Sequence, residues 1–259
     1  RQPAAVETHF NGQHFHFSSA TAPLNAVFIP VKSYAVVEAV TSLLPHLTPD
    51  AQLVLSHNGM GTIEQVLPLL QHEQGLWFLT TTHGALKQAA AVLHTGAGNS
   101  VLAPLNAAAK PQTSAVYQAM DAAVGPVRLT EHITPFLWQK LAINAVINPL
   151  TAIYNCRNGT LAQPDYQQQI TGLLDEICQV ATAAGCPLQY DDVYHKVQQV
   201  ITNTAANFSS MQQDIAHRRR TEIDAINGYI VRLAANYNIA VPFNRQLQQQ
   251  VLQLQRHGH

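Results

Sequence analysis

The sequence predicts an α/β N-terminal domain followed by an all-α C-terminal domain. Short apolar runs alternate with helical patterns as far as about Thr130, the pattern of helical crossovers between parallel strands. Beyond that point only the 3.6-residue period of helices remains. At 259 residues and 47% hydrophobic content, the chain exceeds the usual size of one domain and can build two modest cores. The expected division is residues 1–129 for the strand-containing unit and 130–259 for the helical one.

Composition narrows the functions available. Charged residues make up 11% of the chain and the formal net charge is -1, so no general field attracts nucleic acid or an anionic membrane. The run Arg218-Arg219-Arg220 is short and reads as a solvated helix face, with local anion binding as the alternative. Cys156, Cys178 and Cys186 form neither a CxxC pair nor an even framework, as expected of a reduced intracellular protein. No apolar run approaches the roughly 18 residues needed to span a bilayer, and no basic segment followed by an apolar one opens the chain. A soluble, cytoplasmic protein without nucleic-acid or membrane partners is expected; the sequence leaves monomer and homodimer equally open.

In chain order, Asn11-Gly12 lies between alternating stretches and predicts a hairpin. His14 and His16 would share a face of its second strand, and a single H-x-H is better read as exposed strand histidines than as a metal site. The run AVFIPVK is a short buried strand ending at Lys32, followed by the helical pattern SYAVVEAVTSLLPHL. QLVLSHNGMGT is a second buried strand, opening at Asn58-Gly59 into the helix TIEQVLPLL. A third strand, GLWFLTTTHGA, ends at His83-Gly84. Ligands of parallel sheets bind beyond the carboxyl ends of the strands, where Lys32, Asn58 and Thr82-His83-Gly84-Ala85 stand here. AAVLHTGAGNSVLAPL and PVRLTEHI predict further strands. HTGAGNS contains a GxG but opens no helix, so it is not a dinucleotide loop. Helices are then expected from Ile170 to Ala184, stopping at Gly185. Further helices are expected from Val193 to Thr202, capped by Asp191 or Asp192, from the Asn207-Phe208-Ser209-Ser210 break onward, from Thr221 to Asn236, and from Phe243.

The stretch Thr134 to Asn158, TPFLWQKLAINAVINPLTAIYNCRN, organises the helical half. Pro135 suits a first turn, and the following residues are apolar on nearly every face, so this helix is buried. Lys140, Asn144 and Asn148 recur at i, i+4 and i+8 and form a polar stripe in a dry setting. Buried amines and amides need partners, and a small molecule carrying a carbonyl and a carboxylate could supply them. The alternative is a lysine at a surface bend, with asparagines bridging helices. Pro149 removes the bond to Ala145, so a kink or an end is expected near Asn148.

A doubly wound nucleotide-binding sheet opens with a middle strand that carries a G-x-G-x-x-G turn onto a helix. This chain begins at Arg1-Gln2-Pro3 without that segment, so it reads as a fragment lacking roughly 30 N-terminal residues, one strand-helix-strand unit.

The stretches VKSYAVVEAV, SHNGMGTIEQV, TTTHGA, WQKLAINAVINPLTAIYNCRNGTL, NFSSMQQDI and RRRTEIDAINGYIV, in this order, resemble the 2-dehydropantoate 2-reductase (ketopantoate reductase) family. Lys140 to Leu161 carries the most specific part of the match. The resemblance implies a Rossmann-like domain, with its first strand and glycine-rich loop missing here, plus a helical domain. It implies hydride transfer from NADPH to the keto carbon of 2-dehydropantoate, giving (R)-pantoate on the route to pantothenate and coenzyme A. It further implies Lys140 as general acid and Asn144, Asn148, Asn158, Asn207 and Ser210 on the substrate. Glu222 would lie near the reacting centre and the nicotinamide, with Lys32, Asn58, Ala85 and Arg1 on the cofactor. No metal is implied. Gly84 departs from the alanine frequent in the family.

The residues agree with that chemistry. Hydride arrival at a ketone carbon builds negative charge on oxygen, and a protonated lysine can both stabilise the charge and supply the proton. Without the resemblance, Ser210 also reads as a helix cap, Glu222 as a partner of nearby arginines and Asn158-Gly159 as a turn. Two other functions stay in view: reduction of a different branched 2-keto acid, and a truncated form that binds ligand without catalysis.

Overall fold

The computed structural model of the chain describes residues 7–10, 13–16, 23–87 and 92–257. β1 (Glu7–Phe10) and β2 (Gln13–His16) pair antiparallel with Phe10 opposite Gln13, as a two-residue hairpin connection at Asn11-Gly12 requires. The expected shared face of His14 and His16 falls outside the described side chains, and Arg1 falls outside the described residues.

The main sheet has five strands. β3 (Leu24–Ile29), β4 (Leu47–Leu55) and β5 (Gly75–Thr81) are parallel neighbours in that order. Their crossovers contain α1 (Val36–Leu43) and the short α2 (Ile63–Val66). Both α1 and α2 run on into 3₁₀ turns at Leu44-Pro45 and Leu67-Pro68, where proline forbids further α-helix. Residues of β4 and β5 are buried on both faces. Leu53, Leu55, Leu76 and Phe78 pack with Val36 and Val40 on one side, while Val54, Trp77 and Leu79 face Val116 and Met120 of α3 (Thr113–Val124) on the other. A sheet covered on both sides reads as continuous apolar runs, which is why these strands were legible. The helix α3 was not among the expected elements.

The sheet is parallel only in part. After β5 the chain enters an antiparallel hairpin of β6 (Gly84–Lys87) and β7 (Val92–Gly96) in place of a helical crossover. The hairpin leaves the chain at the carboxyl end of the sheet. The next strand, β8 (Ser100–Pro104), therefore returns antiparallel to β5, and β9 (Val127–Leu129) pairs parallel to β8. Among the described residues β3 forms one edge, and a cavity of about 380 Å³ beside it is lined by Ala26, Phe28, Val54, Val116 and Met120.

From Thr134 the structure is helical. α4 (Thr134–Ile153) is the buried rod that the sequence predicts, in contact with α5 (Gln167–Ala183), α6 (Tyr190–Asn203), α7 (Ser210–Ala216) and α9 (Pro242–His257). α4 does not end at Asn148 but runs on to Ile153, with one backbone bond missing where Pro149 stands. The Ala145 carbonyl that Pro149 leaves free accepts a 2.9 Å hydrogen bond from Asn227 Nδ2, at the start of α8 (Asn227–Asn236). Asn227 also donates to Asn244, whose amide and backbone N–H both donate to the buried Glu176. Phe243 N–H donates to the other Glu176 oxygen at 2.7 Å, so this carboxylate on α5 satisfies the first turn of α9. Two boundaries differ from the sequence reading. Asp191 and Asp192 lie inside the first turn of α6, after Gln189, and α8 starts at Asn227 because residues 221–226 form turns against the sheet half. Among the described residues no helix is long and apolar enough to cross a membrane, and none group into a metal-binding cluster.

Candidate active site

The carboxyl ends of β3 and β4 meet the helical half at Glu222, and that of β5 meets it at Lys140. The buried Glu222 carboxylate accepts from Ser33 N–H at 3.0 Å and from Asn58 Nδ2 at 3.1 Å, with the Lys32 ammonium 3.4 Å away. Lys32 lies closer to a second carboxylate: its Nζ donates to Asp214 Oδ2 at 2.7 Å, and Arg219 Nε reaches the other Asp214 oxygen at 3.1 Å. Burial alone would lower the Lys32 pKa, but Glu222 and Asp214 outweigh it and hold the ammonium above its ordinary value. Lys32 is thus committed to carboxylates, not left free as a cation.

Gly59 and Gly61 shape the joint. Gly59 has φ +82°, and a Cβ there would meet the Ala225 carbonyl oxygen at 2.4 Å. Only glycine lets this loop come close enough for Met60 N–H to donate to Ala225 O at 2.8 Å. His57 is held between the Asn58 carbonyl and the Thr62 hydroxyl, and burial lowers its pKa.

Lys140 lies two turns into α4, and its ammonium donates to the Thr81 carbonyl at the end of β5, 2.8 Å away. It does not project into bulk water. Burial pulls its pKa down to about 8, against the opposing pull of Glu222. Thr81 is itself fixed by the HTGAGNS segment. Ser100 Oγ donates to Thr81 Oγ1, Thr82 N–H donates to Asn99 O, and Gly98 N–H donates to His83 Nδ1. A Cβ on Gly98 would lie 2.3 Å from Thr82 C, so this glycine lets the segment grip the strand end.

Asn144 is partly exposed and Asn148 is buried; neither side chain has a hydrogen-bond partner among the described residues. Asn158 is buried near α6, with Nδ2 donating to Thr204 and Oδ1 without a partner among the described residues. Its N–H donates to Asn207 O, which brings the Asn207–Ser210 segment alongside. Ser209 caps α7, accepting from Gln212 N–H and from the Thr151 hydroxyl, so the cap is not Ser210, which stays exposed. Glu222 pairs with Lys32, and the nearby Arg219 pairs with Asp214 instead. The structure brings Lys32, Asn58, Lys140 and Glu222 together. It leaves Ala85 exposed on β6, opposite His94 and outside that cluster. Asp214 and Thr81 carry no role in the sequence reading. Asp214 is four residues after Ser210 on α7, a spacing that puts both on one helix face.

The sequence matches the ketopantoate reductase PanE/ApbA family over residues 2–107 and the C-terminal part of that family over residues 132–255. It is 43% identical over 231 residues to the 2-dehydropantoate 2-reductase of Vibrio cholerae serotype O1, covering 89% of this chain and 77% of the relative. The chain belongs to the ketopantoate reductase family. The enzyme of the same name from Escherichia coli O157:H7 is 38% identical over 229 residues, covering 87% of this chain and 73% of its own. Among solved structures, a ketopantoate reductase from Ralstonia eutropha JMP134 superposes with a TM-score of 0.85 at 25% identity, over 98% of this chain and 86% of that one. D-mandelate dehydrogenase with NADH and anilino(oxo)acetate superposes at 0.86 and 19% identity, over 98% of this chain and 85% of that one, a likeness of fold. A Rossmann-like sheet joined to a helical domain is the ketopantoate reductase architecture, and this chain has it.

Proposed function

We propose that this chain reduces 2-dehydropantoate to (R)-pantoate, a step toward pantothenate and coenzyme A, with NADPH as reductant and Lys140 as general acid. One observation carries the reading: a lysine on the buried helix has its ammonium pulled to about pH 8 and aimed at the carboxyl end of the sheet beside Glu222. The named activity of the relatives supports the substrate.

The donor set fits the nicotinamide end of such a cofactor. Asn58 at the end of β4 would hold it, with Lys32 beside it keeping Glu222 and Asp214 in place, and among the described residues no glycine-rich turn contributes to its phosphates. When bound, the cofactor supplies a hydride to the keto carbon. Lys140 then meets the oxygen that becomes negative, donates a proton to it, and is left neutral at Nζ; a pKa near 8 lets it start protonated at neutral pH and give the proton up readily. Glu222 stabilises the charged form of Lys140. The unpartnered amides of Asn144 and Asn148, with Ser210, Asn207 and Oδ1 of Asn158, would hold the carboxylate and hydroxyl of the substrate. Residues 1–129 carry the cofactor and 130–259 the substrate in this division of labour.

The test is oxidation of NADPH by 2-dehydropantoate. Lys140→Ala should lower turnover by roughly 10² to 10⁴ with dinucleotide binding retained. In the parent chain, turnover should be full below about pH 8 and fall as pH rises through that value, because the acid form is then lost. Undiminished turnover in Lys140→Ala, or in the parent at pH 10, rules out the general-acid role.

A further inference from the structure

The run Arg218-Arg219-Arg220 has no place in the chemistry above, yet it lies two residues before Glu222, where the two halves meet. Arg219 is occupied by Asp214, and Lys32 by Asp214 and Glu222. Arg220 differs from both. Its guanidinium sits 4.5 Å from the ring centroid of Tyr34, and among the described residues it has no carboxylate partner and no side-chain hydrogen bond. Tyr34 follows directly on Ser33, whose N–H holds Glu222, so the stack spans the joint between the carboxyl end of β3 and the helical half. Tyr34 is 39% exposed and Arg220 is exposed, so the outer edge of the guanidinium is open to solvent.

A planar guanidinium fixed against an aromatic face has spent little entropy to be aimed, and its free N–H groups form a fork suited to two oxygens of one phosphate. Lys32 and Arg219 are neutralised by carboxylates; of the two arginines of the run without one among the described residues, Arg218 and Arg220, it is Arg220 that is held against a ring. We infer that Arg220, racked on Tyr34, grips a phosphate of the bound dinucleotide from the helical side. This rests on the nicotinamide cofactor proposed above. The phosphate is either the bridging diphosphate or the 2′-phosphate that distinguishes NADPH from NADH.

The experiment is direct binding of NADPH and of NADH to the full chain without substrate, followed by fluorescence of the reduced nicotinamide. Arg220→Ala should weaken NADPH binding about 10-fold, the scale of one charge-assisted pair. Tyr34→Ala should weaken it less, and Tyr34→Phe, which keeps the ring, should not change it. Arg128→Ala is the control, since Arg128 makes a similar stack on Phe136 at the β9 edge. Equal losses for NADPH and NADH assign the grip to the diphosphate, and a loss confined to NADPH assigns it to the 2′-phosphate. Unchanged affinity for both in Arg220→Ala, with the parent binding normally, overturns the inference alone. Absence of saturable binding by the parent overturns the cofactor reading and this inference with it.

Discussion

Lys140 shows what a buried amine costs its fold. Its pKa is held at about 8, below the ordinary 10.5, so between those values the folded molecule binds fewer protons than the unfolded chain. Stability therefore rises with pH through that window, and below about pH 8 the penalty is complete. Lys140→Met should raise the urea midpoint at pH 7, by about 1–2 kcal/mol in unfolding free energy after allowing for the unpaired Thr81 carbonyl, while removing turnover. A lower midpoint would mean that the ammonium is a net stabiliser and that its burial has been misread. At this scale the sequence was informative where polar residues interrupt an apolar helix, as Lys140, Asn144 and Asn148 do. It was silent on Thr81, whose contribution is a backbone carbonyl, and on Asp214, one carboxylate among several on polar helix faces.

Among the elements, α4 carries the most demanding arrangement, because a proline sits four-fifths of the way along a buried helix and leaves the Ala145 carbonyl without its usual donor. Asn227 replaces that donor from another helix. Asn227→Ala should destabilise the chain by about 1–3 kcal/mol, the cost of a buried carbonyl left unpaired. Adding Pro149→Ala, which restores an N–H within α4, should recover part of the loss. Strict additivity of the two changes in chemical denaturation would show that they do not share the carbonyl. Pro149 and the freed Ala145 carbonyl were visible in the sequence, but the continuation of the helix to Ile153 was not, because the donor that meets that carbonyl comes from a distant residue. The same limit hid the reversal of β8: its apolar pattern is that of any buried strand, and its direction follows from the β6–β7 hairpin, where the sequence shows no helix to make a crossover. α3, by contrast, was readable: Val116, Met120 and Val124 recur at i, i+4 and i+8 and pack against the sheet.

For the molecule as a whole, Glu222 belongs to the helical half and its three donors to the strand half. Glu222→Ala removes this tie and the pull that raises Lys140. The alkaline fall in turnover should then move to lower pH, and Ser33 N–H should exchange with solvent faster. An unmoved pH profile would separate Glu222 from Lys140 electrically, and unchanged exchange would show that the joint rests on other bonds such as Met60 to Ala225. The two-part architecture was legible from the change of periodicity near Thr130, although Ile133 and Leu137 at the start of the helical part pack with the sheet. The ionic seam was not, because Lys32, Asp214 and Glu222 are up to 190 residues apart and only the fold makes them neighbours. Lys140 and Glu222 therefore depend on the contact between the two halves for their surroundings. Were the halves to part, water reaching the Lys140 ammonium would undo the burial that lowers its pKa and the loss of Glu222 would remove the charge that raises it, so the acidity of this amine is set by the closed seam.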